Sequence, residues 1–498
     1  MYTHNHLSRL LLLSLALTGA VSSSSSSSSS SQKTTTDADV DVAIIGGGLS
    51  GLSAAKDLSA AGKSFVVLEA RDRVGGRVYN APVQGGGFTE AGAEFVGPTQ
   101  DRVLALADEL GLAQFPTYNL GNNTLYRNGT ASHYDPNTPT GLPPGLSTDA
   151  LLQAVALTGE LDRMAESIDV GAPWKHANAT RWDEVTLQTF ADGMLTLSDA
   201  RFLLELGVGA IWSTNMAEPS LLYIAAYIAA AGNETSVGTL ERLTGVTGAA
   251  QDSRIRGGTG LLATRLASKL GNEKILLNSP VRAVRETEEG KYTVQSDGHI
   301  VTAKHVVVAM SPPLAARISY DPLLPPGRDH LTQRMPMGAL GKAIAIYDSP
   351  WWREKGLNAQ VLSDSGAVRS TFDSSPPDGS FGAIMGFMEA DQMRRLDRLT
   401  EKEIQDEVVK DYVRYFGPQA ANVSSWVIQR WDHEQFSRGG PVAYAPPGVL
   451  TRYGEDYLRK PVGGIHFAGT ETAEYWTGYM DGAVRSGERV AKEILDAF

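Results

Sequence analysis

Apolar and polar positions near the start of the chain predict a strand, a helix and a second strand. The apolar run at residues 40–45 is short and three glycines follow it, which is typical of a buried parallel strand. Residues 49–61 then have the spacing of a helix, and residues 64–69 form a second strand-like run. Together these segments predict a βαβ unit of about 30 residues.

The rest of the chain alternates between two kinds of pattern. Apolar stripes at helical spacing dominate residues 116–254, whereas strand patterns return at residues 275–277, 292–294 and 305–309. From about residue 430 the chain is rich in glycine again. This alternation predicts one nucleotide-binding domain made of three separated pieces, with a substrate domain inserted between them. The predicted pieces are 39–115, 255–312 and 430–498 for the nucleotide-binding domain, and 116–254 and 313–429 for the substrate domain.

Residues 1–38 have the pattern of an export signal followed by a linker. Basic residues precede an apolar run at residues 10–21, and small residues follow it, as in a secretory signal peptide at residues 1–21. The run has about 12 residues, whereas a membrane-spanning helix needs roughly 20, so a cleaved signal is favoured over an anchor. Residues 22–38 begin with a serine tract, which predicts a disordered linker. We therefore expect a secreted protein without a transmembrane anchor in the mature chain.

Composition limits the chemistry that this chain can perform. The 498 residues carry a net charge of −12, so no nucleic-acid partner is expected. The chain has no cysteine, which excludes disulfides and thiolate nucleophiles. The nine histidines form no ligand-spaced cluster, so no metal site is expected. Sequons for N-glycosylation, which fit an exported protein, begin at Asn122, Asn128, Asn178, Asn233 and Asn422.

The glycines after the first predicted strand match the dinucleotide fingerprint G-x-G-x-x-G. Gly46 permits the tight turn, Gly48 lets the backbone approach a pyrophosphate, and Gly51 lets the helix pack closely on the strand. Glu69 ends the second strand, where a carboxylate can accept hydrogen bonds from ribose hydroxyls and repels a 2′-phosphate. FAD or NAD is therefore favoured over NADP.

A second basic, glycine-rich stretch follows Glu69 and favours FAD over NAD. Arg71, Gly76 and Arg77 bring positive charge and close backbone to another part of a pyrophosphate. An NAD dehydrogenase does not need this stretch, because its nicotinamide lies in a separate crevice. A flavin reductase linked to NAD(P)H would need a second fingerprint, and the sequence contains none.

Three motifs closely resemble the flavin-containing amine oxidase family, and most of all the monoamine oxidases. They are LEARDRVGGR at 68–77, VGPTQ at 96–100 and FAGTETAEYWTGYMDGA at 467–483, and the similarity extends from about residue 39 to 495. The resemblance implies an α/β, FAD-binding Rossmann-like fold (GR2, amine oxidase) with an inserted α+β substrate domain. It also implies cofactor contacts at the adenine and near the flavin ring, from Val281, Gly469, Glu471, Thr472 and Met480.

The same resemblance implies an apolar substrate tunnel that ends in an aromatic cage before the flavin. Tyr479 occupies one cage position, whereas Pro441 stands where the second aromatic ring is expected. Gly440 stands where animal monoamine oxidases have the cysteine that tethers the flavin, so non-covalent FAD is expected. Trp431 matches a tryptophan beside the flavin, with a core aromatic as the alternative. Gln251 matches a glutamine that orients the substrate, with an exposed glutamine as the alternative.

Arg317 is a second departure from the family pattern, which usually has a lysine there, hydrogen-bonded through water to flavin N5. An arginine could still hold that water, bind a substrate carboxylate, or be a surface residue in a shifted alignment. Lys342 matches another family lysine, which we interpret as structural.

The leading hypothesis is an enzyme that oxidises primary amines with FAD and O2, giving aldehyde, ammonia and hydrogen peroxide. An L-amino-acid oxidase would use Arg317 for the substrate carboxylate. A polyamine oxidase would use acidic residues, for which the chain offers Glu389 and Asp391. A flavin-binding scaffold that has lost catalysis is the alternative of another class. The sequence leaves a homo-oligomer open.

Overall fold

The computed structural model of this protein describes residues 35–136 and 143–498. The predicted signal peptide lies outside the described residues, as does the predicted linker up to residue 34. The first strand begins at Thr35, before the predicted end of the linker at residue 38, because a long neighbouring strand offers paired partners from His299 onward. In the part of the chain that the structure describes, no helix is long and apolar enough to cross a membrane.

An eight-stranded mixed sheet carries the glycine fingerprint. Its strands are β1 (Thr35–Ile45), β2 (Phe65–Leu68), β10 (Ile275–Leu276), β11 (Val281–Glu286), β12 (Tyr292–Ser296), β13 (His299–Ala309), β14 (Ser319–Asp321) and β20 (Ile465–Ala468). The order is β10-β2-β1-β13-β12-β11-β14, and β20 also pairs with β13. Strands β10, β2, β1, β13 and β20 are parallel. Burial on both faces explains why the central segments of this part of the sheet, 42–45, 65–68 and 306–309, are apolar without interruption.

Four helices pack with this sheet around one apolar core. They are α1 (Leu49–Ala60), α2 (Asp101–Glu109), α9 (Gly260–Leu270) and α14 (Met480–Ala497). The βαβ unit predicted for the start of the chain is confirmed as β1, α1 and β2. The strands predicted at 275–277, 292–294 and 305–309 are confirmed as β10, β12 and the end of β13.

A second, seven-stranded sheet and its helices form the inserted region. Its strands follow the order β19-β15-β18-β17-β16-β7-β8, and helix α13 (Glu401–Phe416) contributes to its core. The strands are β7 (Asn122–Arg127), β8 (Thr130–Tyr134), β15 (Leu340–Tyr347), β16 (Leu357–Ser363), β17 (Ser370–Asp373), β18 (Gly382–Glu389) and β19 (Ser425–Arg430).

The remaining helices and two small sheets connect these parts. The helices are α3 (Thr148–Glu166), α4 (Ala179–Asp183), α5 (Leu187–Asp192), α6 (Ser198–Trp212), α7 (Leu221–Ala229), α8 (Leu240–Thr244), α10 (Pro312–Ala315), α11 (Pro326–Arg334), α12 (Ala390–Arg395) and the π-helix Leu450–Leu458. The small sheets pair β3 (Asn80–Pro82) with β4 (Phe88–Glu90), and β5 (Phe95–Val96) and β6 (Gln114–Pro116) with β9 (Ser253–Ile255).

Two elements lie across the predicted domain boundaries. Strand β14 belongs to the first sheet although it follows residue 312, because it pairs with β11. The π-helix lies within the predicted piece 430–498, yet it packs in the core of the helical region through residues such as Leu450 and Leu458. Boundaries read from local patterns therefore miss contacts that only the tertiary structure creates.

Candidate active site

A cavity extends between the first sheet and the inserted region. It is lined by residues of all three predicted pieces of the nucleotide-binding domain and by residues of both pieces of the substrate domain. The residues singled out in the sequence that line it are Gly46, Gly48, Glu69, Arg71, Gly76, Arg77, Gln251, Val281, Arg317, Lys342, Trp431, Gly440, Pro441, Gly469, Tyr479 and Met480. The candidate site residues that do not line it are Gly51, Glu389, Asp391, Glu471 and Thr472.

The geometry of the fingerprint glycines fits a dinucleotide. A Cβ at Gly51 would lie 2.0 Å from the Gly46 carbonyl oxygen, so Gly51 is required for α1 to start beside β1. Gly48 has an extended backbone with φ −77°, and a Cβ there would have no atom nearer than the Gly75 carbonyl oxygen at 3.9 Å. The chain therefore leaves open space over Gly48 on the cavity wall, which suits a phosphate group held by backbone N–H groups.

Glu69 lies at one end of this cavity, almost fully buried. Its Oε2 accepts a hydrogen bond from the Gly47 N–H at 2.6 Å, and its Oε1 accepts one from the Arg71 N–H at 2.9 Å. The Arg71 guanidinium donates to Ser437 Oγ at 2.8 Å. Each Glu69 oxygen keeps a further lone pair for a ribose hydroxyl, which fits the role predicted for this residue.

Arg77 and Glu471 form an internal ion pair. Arg77 Nη1 lies 2.8 Å from Glu471 Oε1 and also donates to the Pro441 carbonyl. Thr472 is buried and donates to the Gly469 carbonyl at 2.9 Å. We predicted cofactor contacts for Glu471 and Thr472, whereas the structure gives them a supporting position. Glu471 neutralises Arg77, so this ion pair offers little net positive charge to a ligand in the cavity.

Tyr479 precedes α14 and faces a group of aromatic rings. Its ring centroid lies 4.8 Å from that of Trp476 and 6.2 Å from that of Tyr227. Burial raises the pKa of Tyr479 well above its usual range, so the phenol is neutral. Tyr227 of α7 also lines the cavity, and its buried hydroxyl has no partner among the described residues. The ring that accompanies Tyr479 therefore comes from α7, which the sequence analysis missed, and not from position 441.

Trp431 and Gln251 both occupy the cavity wall. Trp431 is buried, and its indole N–H donates to the Ala91 carbonyl at 3.0 Å. Gln251 Nε2 donates to the Leu243 carbonyl at 3.2 Å, while its Oε1 is buried without a partner among the described residues. An exposed glutamine, the alternative for Gln251, is therefore wrong. Like the Tyr227 hydroxyl, its Oε1 is a polar atom that a ligand could satisfy.

Lys342 of β15 lies in a buried network of four charges on the same cavity wall. Its Nζ is 2.9 Å from Glu94 Oε2 and 2.9 Å from the Glu90 carbonyl oxygen. Arg254 bridges the two acids, 2.7 Å from Glu90 and 3.1 Å from Glu94. Although burial opposes it, the positive charges of Lys342 and Arg254 lower the pKa of Glu94. Two cations thus accompany two carboxylates in this network, and Lys342 lines the cavity while its ammonium group is paired with Glu94.

Of the three alternatives given for Arg317, a surface residue fits the structure best. Its side chain is exposed, two residues before β14. The parallel register pairs Ala283 of β11 with Ser319 of β14, which places Arg317 beside Val281. Arg317 therefore lies at the end predicted for adenine, and the buried lysine of the cavity is Lys342. Arg317 precedes a strand of the first sheet and Lys342 lies in a strand of the second, so no local sequence pattern gives their positions relative to each other.

Among the described residues, one group of side chains has the spacing of metal ligands. It consists of Asp397, Asp432 and His433, which the fold brings together from separate segments. Arg430 contacts both carboxylates at 3.1 Å, and His433 Nε2 lies 2.8 Å from Asp397. These contacts account for the cluster without an ion.

Comparisons with known proteins agree with this geometry. Residues 49–495 match the family of flavin-containing amine oxidoreductases. Over 453 residues the chain is 40% identical to the flavin-containing monoamine oxidase AofH of Mycobacterium tuberculosis, covering 91% of this chain and 96% of that protein. It is 36% identical to human flavin-containing amine oxidase B over 459 residues, covering 92% of this chain and 86% of the relative.

Solved structures give the same result. Putrescine oxidase bound to putrescine superposes with a TM-score of 0.86 at 32% identity, covering 92% of this chain and all of that one. Cyclohexylamine oxidase from Brevibacterium oxydans gives a TM-score of 0.85 at 34% identity, covering 92% of this chain and 99% of that one. The chain belongs to the flavin-containing amine oxidase family. It is an oxidoreductase that uses FAD, and the predicted fold class is confirmed.

Proposed function

We propose that this protein oxidises primary amines to imines with O2 as the electron acceptor, giving hydrogen peroxide, and that water then hydrolyses the released imine to aldehyde and ammonia. The observation that carries the proposal is the single cavity that joins the glycine cradle at Gly48 to the rings of Tyr479 and Tyr227. Bound FAD would supply the oxidation, by accepting a hydride from the carbon next to the amine nitrogen and passing the electrons to oxygen. The residues of the chain then bind the amine, orient it and exclude water.

The walls of the substrate part of the cavity suit a neutral amine. Tyr479 and Tyr227 are neutral phenols, because burial raises the pKa of both hydroxyls. Phe387 adds a third ring to the lining. Such walls disfavour the solvated ammonium ion and hold the amine nitrogen close to electron-rich ring faces. The carboxylate of an amino acid would need a cation that is not already paired. Lys342 is paired with Glu94, and Arg317 is exposed beside Val281, so amines without a carboxylate are favoured.

We also propose that FAD is held without a covalent bond. The chain has no cysteine, and Gly440 has no side chain with which to attack the flavin. We assign to Lys342 the water-holding role that the resemblance placed at residue 317, since Lys342 is the buried cation beside Trp431 and Phe387 on the cavity wall. The scaffold that has lost catalysis was suggested by the absence of a lysine at residue 317 and of an aromatic ring at residue 441. In this proposal Lys342 and Tyr227 take these two roles.

Anaerobic mixing with a primary amine tests the proposed reaction. We expect the oxidised flavin band of the yellow holoenzyme to bleach with cyclohexylamine or hexylamine, and to return with hydrogen peroxide when air is admitted. Acid precipitation of the same sample should leave the flavin in the supernatant, because it is not tethered. If the protein retains FAD but no amine bleaches the oxidised flavin band, the result would instead support a flavin-binding scaffold that has lost catalysis.

We further propose export and N-glycosylation, and the exposure of the sequons makes this testable. Asn128, Asn178 and Asn422 are exposed. Asn122 lies half-buried in β7, and the side chain of Asn233 donates to Asp101 at 2.7 Å. We therefore expect glycans at the three exposed sites in protein secreted from a eukaryotic host. Peptide mass spectrometry after enzymatic glycan removal should find these three asparagines converted to aspartate, and the other two unmodified. Unmodified asparagine at all three exposed sites would contradict export through the glycosylating route.

A further inference from the structure

Glu389 is a buried carboxyl group for which the proposed reaction has no use. It ends β18 with only 3% of its surface exposed, and its Oε2 is buried without a hydrogen-bond partner among the described residues. Burial raises the pKa of Glu389 to about 8, although the charge of Arg369 opposes this. A buried, unsatisfied carboxyl group destabilises a folded protein, so its presence requires a reason.

The register of the second sheet places Glu389 on the face that borders the cavity. Strands β15 and β18 pair antiparallel, with Leu340 opposite Glu389. The next pair on the same face joins Lys342 to Phe387. Opposed residues share a face, as do alternate residues of one strand. Leu340, Lys342 and Phe387 line the cavity. Glu389 is the next residue on the same face of β18, about 7 Å along the strand from Phe387.

Helix α6 closes the space on the other side of Glu389. A Cβ at Gly209 would lie 3.0 Å from Glu389 Oε1, so the carboxyl group rests directly over this glycine. The next residues of the helix, Ala210 and Ile211, line the cavity. The carboxyl group therefore lies between the sheet and α6, one position beyond the residues that line the cavity, and Glu389 itself is not among those residues.

We propose that Glu389 is a specificity-determining residue that receives a second ammonium group at the far end of the substrate, so that aliphatic diamines are preferred over monoamines of equal length. This inference rests on the proposed amine oxidation. A diamine that presents one nitrogen to Tyr479 extends its chain along the row of Leu340 and Phe387 toward Glu389. An arriving ammonium group favours the ionised carboxylate and satisfies the oxygen that has no partner.

The test compares Glu389→Gln and Glu389→Leu with the wild-type holoenzyme, using diaminohexane with hexylamine and diaminobutane with butylamine as matched pairs. We expect kcat/KM for the preferred diamine to fall about tenfold or more in both variants, since a hydrogen bond to a charged group is lost. The value for the matched monoamine should stay near that of the wild type. Asp391→Asn is the control, because Asp391 is an exposed acid two residues away that pairs with Arg394; it should change neither value.

Thermal unfolding of the holoenzyme gives a second readout that needs no turnover. The diamine should raise the wild-type Tm more than the monoamine does, and this difference should vanish in Glu389→Gln. Without ligand, Glu389→Leu should have a higher Tm than the wild type, because an unsatisfied carboxyl group has been removed. Absence of oxidation would overturn the proposed reaction alone, since the Tm difference still decides the role of Glu389. Equal losses for both members of a pair, or an unchanged Tm difference in Glu389→Gln, would overturn the role of Glu389.

Discussion

Gly48→Val is expected to fold, to lack the yellow colour of bound flavin and to oxidise no amine. The backbone at Gly48 has a φ that any residue can adopt, and a Cβ there meets no atom of the chain closer than 3.9 Å. The added side chain would therefore leave the protein intact and occupy the space over the cradle, where a phosphate of FAD would lie. The visible spectrum of the purified variant and a peroxide assay check both losses.

The neighbouring glycine of the same motif provides the contrast. Gly51→Val should fail to fold, because its Cβ would lie 2.0 Å from the Gly46 carbonyl oxygen and push α1 away from β1. The matched control is Gly159→Ala in α3, where a Cβ meets no atom within 4 Å; it should bind FAD normally. A yellow, active Gly48→Val protein would show that the cofactor does not lie over this part of the wall.

Lys342→Met is expected to slow amine oxidation about 100-fold, the usual effect of removing one positioned charge from an active site. It should also destabilise the fold by about 3–5 kcal/mol, because a buried pair loses one partner. Glu90 and Glu94 would then share Arg254 alone. Stopped-flow measurement of flavin reduction and reoxidation, with urea unfolding in parallel, separates the two effects.

A double variant distinguishes the catalytic role of Lys342 from a structural one. Lys342→Met combined with Glu94→Gln restores the balance of buried charge, so we expect most of the lost free energy of unfolding to return while the rate stays low. A rate that recovers together with stability would mean that Lys342 only supports the wall, as the sequence analysis proposed. Arg317→Met should leave the rate of flavin reduction unchanged, because Arg317 is exposed beside Val281.

Sequence patterns predicted the parts of this protein that are continuous along the chain. The strand, the glycines and the helix of the first βαβ unit follow one another within 30 residues, so their spacing determines their geometry. The same holds for Tyr479 and Met480, because the residue before a helix and its first residue have fixed positions relative to the helix N-terminus. Glu69 was found because it ends a strand next to these glycines.

Positions that depend on pairing between distant segments were not predicted. Lys342 reaches the cavity because β15 joins β18 and β19 in a particular register, and no local pattern specifies that register. Glu471 looked like a cofactor ligand within its motif, yet its partner Arg77 lies 394 residues earlier. Tyr227 is part of an apolar helix stripe and differs from its core neighbours only by facing the rings of Tyr479 and Trp212.

The late position of β20 in the chain has a consequence for biosynthesis. This strand lies against β13 within the first sheet, although β1 and β13 are synthesised far earlier. A nascent chain that ends before Ile465 has neither β20 nor α14, and it also lacks Gly469, Tyr479 and Met480 of the cavity wall. Flavin loading must therefore follow synthesis of these two elements, so a stalled nascent chain that ends before Ile465 should capture no FAD.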